Sequence, residues 1–342
     1  MAANPPAIVH DASVDAGPRE LGRLFHDLSE PGRAFLGDNW VSNESSYLQV
    51  ARELRGRKGG AYIGVGPEQN FSYIALTQPE IAFIIDIRRD NAIEHLFYKS
   101  LFEIASSRAD FLARLLGHQS IGAPNDDATI EQLALWADAS PMDEAAYTDT
   151  KQQVRTRIEA YFPLDAADVA ALERIERPFH EKGLGLVFEM HEKNGLRYPP
   201  LRSLLLQKGS DGDGGFLASE TAFRFVQRMQ REDRIVPVVG DFGGAHALRA
   251  IGDELRRRHV VVSTFYVSNV EQYLMTDGKW KAWLENVHAL PSDDKSMFIR
   301  CYLDQGRPHP KQMRGHRTTT VLQAFQRFES RTYRSWFELA SD

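Results

Sequence analysis

The sequence predicts an α/β protein: an open, mostly parallel sheet with a helical insertion between its second and third strands. Three observations predict it. Apolar runs at Ala61–Val65, Ile81–Ile85, Ile235–Val239, Val260–Val267 and Met297–Leu303 have the length and composition of buried parallel strands. Helical stretches separate most of these runs, the alternation that produces a parallel sheet with helical crossovers. Finally, four runs close on residues suited to a ligand: Gly64-Val65-Gly66, Asp86, Gly240-Asp241 and Ser268-Asn269. In an open sheet the carboxyl ends of the strands share one edge, and ligands bind there.

The first elements follow from local signals. Glu20 to Leu28 reads as a short helix ended by the Pro31-Gly32 turn, and a second helical stretch runs to Leu54 after Asp38-Asn39-Trp40-Val41-Ser42-Asn43-Glu44. Ser42 and Asn43 either cap that helix through their short polar side chains or belong to a segment closing over the glycine turn. Pro67 suits a helix start, because its fixed φ is already helical and its missing N–H has no intrahelical partner to lose. Phe71, Ile74, Ala75 and Gln78 share one face of this helix, and Pro79 ends it. The next helix, from about Asn91 to Ala105, carries a buried stripe from Ile93 to Ile104, with Asn91 and Glu94 at capping-box spacing. His95 and Lys99 lie together on another face, either solvated or turned to a substrate.

Residues 107–230 break the alternation. Asp110 to Leu116, Thr129 to Asp138, Met142 to Tyr161, Ala166 to Arg174 and Thr221 to Arg231 favour helix, with loops at 122–127 and 209–215. Such an insertion can cap a pocket and exclude water. The α/β alternation resumes with a helix at Ala247–Arg258, another at Trp280–Leu290, and a tail from Thr318 to Leu339 holding a helix and an edge strand. The expected organisation is a flexible N-terminus (1–19), the first half of the α/β domain (20–106), the insertion (107–230) and the second half (231–342).

Composition narrows the function classes. With 42% hydrophobic and 26% charged residues in 342, the chain suits an ordinary globular protein, and its formal charge of −6 argues against a nucleic-acid footprint. The densest basic run, Arg256-Arg257-Arg258-His259, falls at the end of an expected helix, where cations favour the dipole. Cys301, the only cysteine, excludes an intrachain disulfide and fits a reducing compartment. Residues 1–17 lack the basic start and apolar core of a secretory signal, and no run is long enough for a membrane span. A cytoplasmic protein acting on a small molecule, with neither nucleic acid nor membrane as partner, is therefore expected. Asp211-Gly-Asp213-Gly-Gly resembles the start of a calcium loop but has Ala222 at the twelfth position, and His180 and His191 lack HExxH spacing, so no metal site is expected.

The glycine turn separates two cofactor classes. A dinucleotide fingerprint requires Gly or Ala at position 69 so that the helix can close on the strand beneath a pyrophosphate; this chain has Gln69. S-adenosylmethionine (SAM) has ribose and adenine but no phosphate, and needs only the turn and the ribose acid. Asp86, roughly 20 residues beyond the glycines, stands where that acid is expected. SAM is thus the expected cofactor, with NAD as the alternative.

The runs YIGVGPEQNFSYIA and IAFIIDIRRDN, with DNWVSNESSYLQV before them and VPVVGDFGG and STFYVSNVEQYL after, resemble a largely uncharacterised bacterial family with a Rossmann-like sheet of the SAM-dependent methyltransferase type. The resemblance runs from about Leu28 into the C-terminal segment. Tyr62 stands where class I methyltransferases usually open the glycine motif with an acid, and Glu68 replaces their third glycine. The resemblance implies a SAM-binding, methyltransferase-like enzyme, with Gly64, Gly66, Gln69, Asp86 and Asp241 as cofactor-binding residues. Asp86 would hold the ribose hydroxyls, and the Gly240-Asp241 step would approach the adenine, with Gly243 and Gly244 leaving room for the ring. The alternative role for Asp241 is to cap its own turn. Tyr266, Asn269 and Glu271 occupy the position that usually faces the substrate: Glu271 or Tyr266 could accept a proton and Asn269 could orient a nucleophile. Ser268-x-x-Glu271 also has the spacing of a capping box. Other readings are elimination or cyclisation of the aminobutyrate part of SAM, and a non-catalytic nucleotide-ligand sensor.

Overall fold

Eight strands occur among the described residues: β1 (Gly37–Asp38), β2 (Ala61–Gly64), β3 (Ile81–Asp86), β4 (Glu189–Met190), β5 (Ile235–Val239), β6 (Val262–Ser268), β7 (Met297–Leu303) and β8 (Thr318–Ala324). The computed structural model describes residues 18–192 and 195–342; the flexible terminus expected at 1–19 lies outside the described residues up to position 17. Six strands form one sheet in the order β5-β3-β2-β6-β7-β8, parallel except for the antiparallel β7–β8 pair, and helices flank it. This is the doubly wound order, in which successive strands spread first to one side of β2 and then to the other. The reversal leaves a crevice at the carboxyl ends of β2 and β6.

The strands form where continuous apolar runs permit burial on both faces: β2, β3 and β5 are buried at every position. Pro237 sits in β5 because that strand pairs with β3 alone, so its missing N–H removes no ladder bond on the inner side. The helix Pro18–Leu28 packs against β5, and the chain after it runs along that strand's end, Glu30 N–H donating to Val239 O at 2.9 Å and Val239 N–H to Ser29 Oγ at 3.1 Å. At the other edge the turn Tyr47–Val50 packs on β8, whose Thr320 N–H donates to Gln49 Oε1 at 3.1 Å.

Between β3 and β5 the helices Arg108–Leu116, Ile130–Ala139, Glu144–Glu159, Ala166–Lys182, Leu201–Leu205 and Glu220–Arg231 make up the insertion. Glu144–Glu159, Ala166–Lys182 and Glu220–Arg231 pack around the helix Arg89–Ile104, which is buried on nearly all sides. His95 and Lys99 are therefore neither solvated nor turned to a substrate. Lys99 Nζ is held by Asp233 Oδ1 at 2.6 Å, Glu103 Oε1 at 3.1 Å and the Gln230 carbonyl. Asn91 lies inside the helix and bonds Glu94 at 3.4 Å, so no capping box forms there. The insertion also contributes β4, which pairs antiparallel with β1 in a ribbon that the apolar pattern did not reveal.

Arg256, Arg257 and Arg258 pair with Asp253, Glu254 and Glu20, all within or beside their own helix end. The Asp211–Asp213 loop pairs with Arg52 and Arg55. His180 meets Glu144 at 3.1 Å while His191 meets Asp38 at 3.0 Å, so the two histidines serve separate contacts.

Glu271 corrects an expectation. Its helix is Val270–Thr276, with Asn269 rather than Ser268 at the N-cap position and no side-chain cap bond there, and its carboxylate is fully buried away from the sheet edge. Arg300, reaching from the middle of β7, clasps it through Nε and through Nη2 at 3.0 Å, and Trp283 Nε1 donates to it at 3.0 Å. The guanidinium lies over Phe298 and Phe328, 4.5 and 5.1 Å from the ring centroids, and donates its remaining edge to Gln323 at 2.9 Å. Glu271 is thus one half of a buried ion pair and neither a capping nor a substrate-facing residue. Removing one partner strands the other charge in the core, so Glu271→Ala is expected to cost about 3–5 kcal/mol of stability in chemical denaturation. A fully stable Glu271→Ala protein would contradict this assignment.

Candidate functional site

A cleft of about 860 Å³ opens at the carboxyl edge of the sheet. Its floor is formed by Val65 and Gly66 after β2, Asp86 at the end of β3, Gly240 and Asp241 after β5, and Ser268 and Asn269 at the end of β6; Leu303 and Asp304 extend it along β7. Phe35 and Leu36 before β1, with Phe188, Met190 and the 196–199 segment of the insertion, also line it. The insertion therefore contributes to this cleft.

The glycine turn is shaped by one side chain. Asn70 Nδ2 lies within hydrogen-bond distance of three consecutive carbonyls, Val65 at 3.0 Å, Gly66 at 3.1 Å and Pro67 at 2.7 Å, while its Oδ1 accepts from Tyr62 OH at 2.8 Å. His95 Nε2 donates to the Gly66 carbonyl at 2.8 Å, and burial pushes the imidazole down to about 4, so it is neutral. Gly66 has φ +78° and its α-carbon faces the cleft, the nearest atom to a side chain there being Asn39 Nδ2 at 3.4 Å. Gly64 instead lies against Asn70 and Tyr62, which any β-carbon would strike, and it does not line the cleft. The absence of an acid at position 62 thus has a structural counterpart: the tyrosine orients the asparagine that holds the turn.

Asp86 and Asp241 line the cleft and both carry cations. Asp86 accepts from Arg88 through Nε and Nη2, each at 3.1 Å, and from the Arg88 backbone N–H at 2.9 Å. Asp241 pairs with Lys279, lies 3.5 Å from Arg33 and accepts the Gly243 N–H at 2.9 Å, so it does cap its own turn. The room expected at Gly240, Gly243 and Gly244 is filled by Ala247, Lys279 and Glu30, so these glycines permit close packing of protein on protein.

Segment 38–46 supplies what the motif reading missed. Ser42 and Asn43 do not cap a helix. Ser42 N–H donates to both Glu68 oxygens at 3.2 Å, and its Oγ donates to Gln69 Oε1. Glu44, 1% exposed, lies in the cleft wall and accepts from Tyr266 OH at 2.7 Å, Gln69 Nε2 at 2.9 Å and Ser268 Oγ. Burial raises the Glu44 carboxyl above the usual range, against the pull of these donors and of the Cys301 thiol. Ser268 reaches it from a left-handed backbone, φ +51°, where the β6–β7 register shifts; for a non-glycine residue this costs about 1 kcal/mol or more. Gln69, expected at the cofactor, is committed to Glu44, Ser42 and Tyr73 and lies outside the main cleft. Tyr266 lines the cleft, but its proton is directed at Glu44 and burial beside that carboxyl pushes the phenol far above its ordinary range, so it is a donor and not a base. Asn269 lines the cleft as expected, and the amides of Asn39 and Asn43 join it there.

The profile of a family described as a domain of unknown function, DUF7790, matches residues 39–337. The chain belongs to that family. The matched span includes the whole sheet, the insertion and the Asn39–Ser46 segment, while the helix Pro18–Leu28 precedes it. A search of curated proteins finds no match.

Glu68, beside the glycine turn, is buried and its carboxyl is raised to about 7. Its proton is held more tightly in the folded than in the unfolded chain, so its contribution to stability declines as pH rises from about 4.5 through 7, by on the order of 3 kcal/mol. Glu68→Gln is expected to flatten this part of the stability–pH curve measured by urea denaturation. An unchanged slope would contradict the raised carboxyl.

Proposed function

We propose that the cleft binds SAM and that the protein is a methyltransferase-like enzyme acting on a small molecule. The observation that carries this reading is the meeting of Gly66, Asp86 and Asp241 in one cleft at the point where the strand order reverses. Its volume falls within the range of small-molecule pockets, about 300–1,000 Å³. Two of the residues suit the ribose part of the cofactor. Asp86 retains acceptor capacity for ribose hydroxyls beside its Arg88 pair, and Gly66 lets a ligand approach the backbone. SAM, when bound, supplies a methyl group on a sulfonium that transfers by in-line displacement.

For such a transfer the chain's tasks are to align the acceptor, exclude water and take a proton from the nucleophile. Glu44 is the candidate acceptor, in the place expected of Glu271. Tyr266 and Ser268 fix its Oε1, and Gln69 fixes its Oε2. Asn269 and Asn43 can bond the acceptor molecule, and Phe188, Met190 and Leu196 add apolar side chains to the same cleft.

Calorimetry with SAM and S-adenosylhomocysteine tests the reading; absence of binding to both overturns it, and binding of NAD in their place would reassign the cofactor. Asp86→Ala is expected to weaken SAM binding by about 1–3 kcal/mol if its carboxylate holds the ribose. Methylthioadenosine formed from SAM alone would identify cleavage of the aminobutyrate part instead of methyl transfer.

A further inference from the structure

Three buried carboxylates line the cleft, and two of them have a cation: Asp86 has Arg88, and Asp241 has Lys279 and Arg33. Glu44 differs. Tyr266, Ser268, Gln69 and Cys301 all present neutral donors to it, and no Lys, Arg or His among the described residues forms an ion pair with it. An ionised carboxylate removed from water is ordinarily matched by a cation. Glu44 is only 1% exposed, yet it contributes to the wall of the cleft. A ligand can therefore bring the missing positive charge.

We propose that the small molecule taken at the β6 side of this cleft is an amine that enters as its ammonium ion and pairs with Glu44. The groups around Glu44 suit that ligand. Asn43 and Asn269 line the same cleft, and their amide oxygens are of the kind that accept the remaining ammonium N–H bonds, while Arg33 and Lys279 lie with Asp241 at the end of β5. Within the pair one proton can pass from nitrogen to a Glu44 oxygen, leaving a lone pair on a neutral amine and a neutral carboxyl. No other bond changes in that step. The word substrate rests on the methyl-transfer reading; the ammonium site does not, and it is tested without SAM.

Benzylamine and benzyl alcohol have the same ring and differ in charge, so they serve as probes by calorimetry or saturation-transfer NMR at neutral pH. The wild-type protein is expected to bind benzylamine at least about tenfold more tightly than benzyl alcohol. Glu44→Gln should abolish that preference, with circular dichroism confirming the fold. Asp304→Asn, which removes an acid elsewhere in the same cleft, should keep it. Equal binding of the two probes by the wild-type protein, or loss of the preference in Asp304→Asn as complete as in Glu44→Gln, would overturn the proposal, whether or not Glu44→Gln folds. A protein that prefers benzylamine but fails to bind SAM would leave the amine site standing and remove the methyl-transfer reading.

Discussion

The hydrogen bonds made by segment 38–46 hold the carboxyl edge of the sheet together. This stretch has no regular structure over most of its length, so its polar groups must find partners elsewhere. Ser42 bonds Glu68 and Gln69 beside the glycine turn, Glu44 bonds Tyr266 and Ser268 on β6, and Ser46 bonds Thr318 and Thr320 on β8. One irregular strip thereby spans from β2 to β8 and forms a wall of the cleft. The positions of Ser268 and Tyr266 follow from it, because the left-handed backbone at Ser268 is offset by the bond its hydroxyl makes to Glu44.

The cleft has two electrostatic characters. Toward β3 and β5, acids and bases stand in close contact, Asp86 with Arg88 and Asp241 with Lys279 and Arg33, so each carboxylate there already has a cation. Toward β6, Glu44 stands among hydroxyls and amides with no basic side chain bonded to it.

The alternating elements were legible because β3 and β5 are almost wholly apolar runs and β6 and β7 are predominantly so, with helical stretches between most of them; β5, β7 and the helix Ala247–Arg258 occur at the expected bounds. What stayed hidden depended on partners distant in sequence. Glu271 has capping spacing, yet Arg300 and Trp283 decide its fate, and a single arginine within an apolar strand carries no local sign of its partner. His95 and Lys99 resembled a solvated pair because the insertion that covers them is far along the chain. The β1–β4 ribbon is too short to show a period. Glu44, in a polar loop, carries no local sign of burial, and only the return of β6 and the Cys301 thiol of β7 to its side makes it a buried one.

The edges of the sheet have a consequence for how the protein meets copies of itself. An unpaired strand edge offers a row of donors and acceptors on which another chain can build. Here Pro237 deletes one donor from the β5 edge, and the helix Pro18–Leu28 with Ser29 and Glu30 covers that strand. The β8 edge is occupied by Gln49 and the Tyr47–Val50 turn. Among the described residues, then, neither margin is open for strand addition, and growth of this sheet into a continuous intermolecular ladder would first require those covering elements to peel away.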